Sequence, residues 1–137
     1  MMISRSKMMF AAAAIVALTT AKTEAQMAVA NYLEEDSHAG VAKGADANQA
    51  NANAIAACEK NGGPKGSCMI YATIIRGASG QKTICLSAAQ GNNGDFGYGT
   101  GVDKNSSVAA AIKSCKIGAV APRYCKHVAE TVCQTTQ

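Results

Sequence analysis

Residues 44–58 read GADANQANANAIAAC, and residues 101–115 read GVDKNSSVAAAIKSC. Both stretches open on glycine, place Asp third and Asn fifth, and run through Ala-Ile to a cysteine. Sliding the chain by 57 residues aligns Gly40 to Cys68 with Gly97 to Cys125 without a gap, and nine of the 29 pairs are identical. They are Gly40/Gly97, Gly44/Gly101, Asp46/Asp103, Asn48/Asn105, Ala52/Ala109, Ala54/Ala111, Ile55/Ile112, Cys58/Cys115 and Cys68/Cys125. Alanine-rich sequence matches itself by chance, but alanine does not align glycines and cysteines, so the pattern reads as an internal repeat.

Upstream, AVANY at 28–32 occupies the place that CLSAA at 85–89 holds before the second copy. Each unit then reads strand, short strand, helix, strand. The short strands are GVAKG and GYGTG, with small residues at 40, 42 and 44 and at 97, 99 and 101. A period of two puts these on one face and turns Val41, Phe96 and Tyr98 to the other. Glycine weakens a strand, so a run of it points to very close packing, and the helix of the same unit is the natural neighbour.

Asp46 and Asp103 stand where helix N-caps belong, and Gln49 completes a capping-box pattern in the first copy. Ala50, Ala54 and Cys58 then form one helical stripe, repeated by Ser107, Ala111 and Cys115. NGGPKGS and GAVAPR end the helices with Gly and Pro. CMIYATII and YCKHVAETVC follow as strands, the first entering a hairpin through RGASGQ. The expected fold is α+β: an antiparallel sheet with two helices on one face, internally duplicated and stapled by disulfides.

Not all 137 residues belong to that fold. MMISRSK carries Arg5 and Lys7, the apolar run MMFAAAAIVALTT follows, and Thr23 and Ala25 supply small residues at the two positions a signal peptidase reads. That is the pattern of a secretory signal peptide, residues 1–25. The run is too short for a spanning helix, which needs about 20 apolar residues. Cleavage near Ala25 would leave one domain, 26–137, with repeats at about 28–84 and 85–137, and no integral membrane segment in the mature chain. Loss of Arg5, Lys7, Lys22 and Glu24 leaves ten basic and eight acidic residues, lowering the formal charge from +4 to +2. Attraction to polyanions is therefore weak overall.

The six cysteines, Cys58, Cys68, Cys85, Cys115, Cys125 and Cys133, all lie in the exported part, and an even count in a small exported chain reads as a disulfide framework. With no Trp, two Phe, four Tyr and much alanine, the core is thin, and staples would compensate. Equivalent partners should bond equivalently, which makes Cys58–Cys68 and Cys115–Cys125 the simplest pairs. Cys85 and Cys133, preceded by TI and TV, remain as a matched pair that a pseudo-two-fold can bring together. Spacing alone leaves crossed pairings between the copies open.

A glycine-rich strand, an alanine helix led by Ser or Asn and ending in cysteine, and a second cysteine entering a strand, all given twice, resemble a family of small exported bacterial proteins. It is catalogued as domain of unknown function number 4189. The resemblance covers roughly residues 28–133. It implies a periplasmic or extracellular destination and carries over no catalytic residue. The family usually shows more aromatic residues in its strands, Trp included, and this chain has no Trp.

Candidate chemistry is sparse. A cysteine nucleophile needs a free thiolate beside a base; His127 follows Cys125 by two, but three plausible pairs leave no spare thiol. Cys125, His127 and Cys133, with Cys115, make four possible zinc ligands, yet the spacing matches no standard finger and Ile70 replaces the histidine in the first copy. Neither metal nor cofactor is expected. LEEDSH gathers Glu34, Glu35, Asp36 and His38, which suits a solvated turn better than acid–base work. GDFGYGTG is neither a dinucleotide fingerprint nor a P-loop. Residues 104–126 hold Lys104, Lys113, Lys116, Arg123 and Lys126 with no acidic residue, the best available patch for an anionic surface. With so few aromatics to stack on bases, nucleic acid is not an expected partner.

The expected function is thus a non-enzymatic binding or interaction module of the bacterial cell envelope or extracellular space, recognising a protein or an anionic envelope component. The alternative is a small envelope hydrolase using the acidic turn or a histidine.

Overall fold

The computed structural model describes residues 26–32, 38–75 and 82–135. The expected signal peptide, most of the acidic turn (Glu34, Glu35 and Asp36) and the RGASGQ hairpin lie outside them. Each unit contributes three strands and one helix. The first has β1 (Gln26–Tyr32), β2 (His38–Gly44), α1 (Ala47–Lys60) and β3 (Met69–Ile74). The second has β4 (Thr83–Gln90), β5 (Phe96–Gly101), α2 (Lys104–Ile117) and β6 (Lys126–Thr135). Both helices have 14 residues, and α2 begins and ends 57 residues after α1, the interval of the sequence repeat.

The α+β class, the antiparallel pairing, the two helices and the duplication stand as expected; the layering differs. The strands make two sheets, ordered β2-β1-β3 and β5-β4-β6, rather than one. On the outer face of the first sheet, Ala28 and Ala30 pack against Ala50, Ala54 and Cys58 of α1. Ala89 packs in the same way against Ala111 and Cys115 of α2. The inner faces meet: Met27, Val29, Ala39 and Val41 form one core cluster with Ile84, Leu86 and Ala88. The order of layers is helix, sheet, sheet, helix, each helix on its own sheet. A strand with apolar residues on both faces needs cover on both, and one three-stranded sheet with one helix covers only one. The larger side chains are therefore kept for the seam between sheets, and the helix contacts are left to alanine.

The small residues of β2 and β5 set the helix distance. A Cβ on Gly40 would overlap the backbone of Ala54 and Cys58, and one on Gly97 that of Ala111 and Cys115, equivalent positions in the two units. Asp46 and Asp103 cap the helices by accepting from Gln49 N (2.8 Å) and Ser106 N (2.7 Å). The capping box is complete in the second copy, where Ser106 Oγ accepts from Asp103 N. In the first copy Gln49 instead accepts from Ala45 N, one residue before the cap, at 2.8 Å.

The upstream equivalence shifts by two residues. Ala28 pairs with Ala42, whereas Cys85 pairs with Gly101 rather than Gly99. In pairing, Gln26–Ala30 holds the place of 85–89. A slip of two keeps every side chain on its face, so the hydrophobic pattern tolerates it. With or without the slip Cys85 has no half-cystine counterpart in the first unit, where Gln26 or Ala28 stands. Cys85 sits directly opposite Cys133 on neighbouring strands β4 and β6 and bonds it there, inside the second unit and not across the two-fold. Cys58–Cys68 and Cys115–Cys125 form as symmetry demands, each spanning 10 residues with Cα atoms 6.2 and 6.0 Å apart.

Both sheets carry a bulge. Between the pairs Val29↔Ala72 and Ala30↔Ile70, Tyr71 is an extra residue of β3. Between Leu86↔Val132 and Ala88↔Val128, three residues of β6 face Ser87, and Ala129 takes a φ of 63°.

Candidate binding cleft

β5 alternates glycine with larger residues, so Phe96 and Tyr98 turn away from α2 while Gly97 and Gly99 lie beneath it. Phe96 packs on the seam between the sheets. Across that seam the bulge in β3 re-aims Tyr71, as an extra strand residue does. Its ring lies 5.1 Å from Phe96, and Phe96 lies 6.4 Å from Tyr98. Burial raises the Tyr71 hydroxyl above its usual pKa, so it stays protonated, a donor as well as an acceptor, through the neutral range.

These three rings line a cleft of about 330 Å3 with Asp95 and with Ser114 and Gly118 at the end of α2. Asp95 is placed by the turn ahead of β5: its N–H donates to Asn92 O, and its carbonyl accepts from Gly91 N at 2.9 Å. Gly94, at a φ of 82°, supplies the left-handed residue that turn needs. The carboxylate is incompletely served, because Oδ2 is buried without a hydrogen-bond partner. Three of the five described aromatic residues thus share one cleft with a carboxylate. At positions equivalent by the repeat, the first unit has Ala39 for Phe96, Val41 for Tyr98 and His38 for Asp95. The two units therefore differ at these three positions.

The residues singled out from sequence fall elsewhere. Lys113 and Lys116 are exposed neighbours on the solvent side of α2. Lys104 opens the same helix, so a rise of about 1.5 Å per residue puts it about 18 Å, a little over three turns, from Lys116. The Arg123 guanidinium is engaged with its neighbour, donating to Tyr124 Oη at 3.0 Å and lying 4.9 Å from the ring centroid. Lys126 begins β6, exposed. The five basic residues do not converge.

All six cysteines are in disulfides, so no sulfur is available as a nucleophile or zinc ligand. The two histidines lie in different units. The His38 ring sits against Gly62, close enough that a Cβ there would touch it. His127 ends a chain of hydroxyls: Ser107 Oγ to Ser87 Oγ at 2.8 Å, Ser87 to Thr131 Oγ1 at 2.6 Å, and Thr131 to His127 Nε2 at 3.2 Å. Burial, and then the charge of Lys104, hold the imidazole below its usual pKa. Ser87 and Ser107 are fully enclosed, so this chain satisfies buried hydroxyls where the first unit has alanine.

Sequence reasoning placed Phe96 and Tyr98 on the face away from the helix but gave them no role. Tyr71 and Asp95 had no signal of their own, since one is aimed by a bulge and the other by a turn. The arrangement defines a class of protein: a duplicated, disulfide-stapled α+β scaffold that presents an aromatic cleft. Against known protein families, characterised proteins and solved structures, the chain finds no match. Among the described residues no helix is long and apolar enough to cross a membrane, and no three His, Cys, Asp or Glu side chains are grouped to hold a metal ion.

Proposed function

We propose that this protein is an exported binding module of the bacterial cell envelope or extracellular space, without catalytic activity, and a member of the family it resembles. The observation that carries the reading is the cleft of Tyr71, Asp95, Phe96 and Tyr98, where the second unit carries Phe96 and Tyr98 in place of the first unit's Ala39 and Val41. Packing alone would be served by the alanine and valine that the first unit uses. Aromatic side chains at a concave surface give large contact area at low entropic cost, the usual means of recognition. Three disulfides fit export to an oxidising compartment and keep such a site preorganised.

The test is retention of envelope components on the oxidised mature protein, beside Tyr98→Ala and Phe96→Leu variants of unchanged disulfide content. Binding by the wild type that both variants lose supports the reading. Equal retention by all three, or by none, overturns it.

A hydrolase using His127 is the second reading, favoured by its hydrogen bond to Thr131. Ester or amide hydrolysis by the wild type that disappears in His127→Ala would establish it in place of the first.

A further inference from the structure

We infer that the cleft receives the cationic side chain of a partner protein, an arginine guanidinium best of all; the inference rests on the binding reading above and names its ligand. Three features of the site favour positive charge independently. Asp95 holds a carboxylate oxygen, Oδ2, shut away from water with no donor to satisfy it. Asp95 also lines the cleft, and a carboxylate there attracts a bound cation the more strongly the less water screens the pair. The rings of Tyr71, Phe96 and Tyr98 line the cleft, and aromatic rings attract cations lying within about 6 Å of a ring centroid. Ser114 and Gly118 bring the C-terminal end of α2 to the cleft, where the helix dipole is negative.

Competing positive charge is turned away. At about 100° per residue, Lys116 lies on the side of α2 opposite Ser114 and Gly118, and Lys113 points about 100° or more away from both. The molecule already shows the intended contact in small form, with the Arg123 guanidinium over the Tyr124 ring. A protein partner is favoured over a free amine by what flanks the cleft. Ile117 and Val120, either side of Gly118, are 80% and 83% exposed. Such apolar side chains suit the main body of a docked polypeptide around an inserted side chain.

The experiment uses the oxidised mature protein and two synthetic peptides, acetyl-Gly-Gly-Arg-Gly-Gly-amide and its citrulline twin, equal in shape and lacking the charge. Binding is followed by the ring proton resonances of Tyr71, Phe96 and Tyr98. The expected result is an affinity at least about tenfold higher for the arginine peptide, falling as salt is raised. Asp95→Asn should abolish the preference for arginine over citrulline, with the circular dichroism spectrum unchanged.

Equal binding of the two peptides would overturn the cationic ligand and leave the cleft as a binding site. So would silence toward both peptides while envelope capture still depends on Tyr98. Silence toward both, with no Tyr98-dependent capture, would remove the binding reading itself.

Discussion

Asn31 is completely enclosed, and neither end of its amide finds a hydrogen-bond partner. It shares a strand face with Met27 and Val29, so the amide points into the apolar seam between the sheets. A buried polar group left unpaired costs about 1–3 kcal/mol. Asn31→Val fits the strand, adds little volume and removes that cost. Stability should rise by about 1–3 kcal/mol in denaturant titration. Asn31→Asp, which buries a charge there, should fail to fold at neutral pH. A fall in stability for the valine variant would mean that the amide is satisfied in solution.

His127 makes a second prediction, in pH. Its folded-state pKa lies below the usual value near 6.5, because burial and Lys104 both disfavour the imidazolium. As pH falls, the unfolded chain takes up the proton before the folded chain does. Stability is therefore lost on acidification from about pH 7 down through the lowered folded pKa, and the histidine imposes no penalty above that window. Thermal midpoints between about pH 8 and 5 should fall more steeply for the wild type than for His127→Gln. His38 and the carboxylates are common to both proteins and cancel in the comparison. Parallel curves would contradict the assignment.

At the scale of elements, the joint between short strand and helix is the tightest feature of the fold. Gly40 and Gly97 lie against helix backbone, which has no side chain to move aside. Gly40→Ala or Gly97→Ala must push the whole helix off its sheet and reopen the alanine contacts, costing about 3 kcal/mol or more. Gly118→Ala is the internal control: a Cβ there meets nothing within 4 Å, and its effect should stay within about 0.5 kcal/mol. Circular dichroism melts of the three variants read the contrast directly. A Gly97→Ala protein as stable as the Gly118→Ala protein would show that the helix rides higher than described.

The capping residues show how far local sequence reaches. Asp46 and Asp103 were legible as N-caps because a cap needs only a short polar side chain and the backbone three residues on. Which side chain closes the box was not, since Gln49 is long enough to pass Asp46 N and reach Ala45 N instead. Ser106, shorter, is held to the cap itself.

The whole molecule is two thin units joined through one apolar seam, with a staple in each helix–strand joint and a third holding β6 to β4. The third closes the longest segment, 48 residues, and removing it as Cys85→Ala/Cys133→Ala should cost about 4 kcal/mol by loop-closure entropy. Each short staple, closing 10 residues, should cost about 3 kcal/mol. Loss of the third pair should release β6, whose protection from hydrogen exchange is expected to fall ahead of that of β1 and β2. Uniform loss of protection across both sheets would instead mean that the two units unfold as one.

The repeat interval, the helix limits, the capping aspartates and the close-packed glycines were determined by the sequence alone, and the three disulfides form in the pairs it suggested, although spacing left crossed pairings open. Each depends on a short stretch of backbone or on equivalence between two such stretches. Tertiary structure alone decided that the strands divide into two stacked sheets, because each strand's alternation is the same whether its inner face meets a helix or another sheet. It likewise decided the two-residue slip of β4, since a shift by the strand period leaves the hydrophobic pattern unchanged. The cleft was the least legible of all. Tyr71, Asp95 and Ser114 come from a bulge, a turn and a helix end far apart in the chain, and only the packing of the two units sets them around one space.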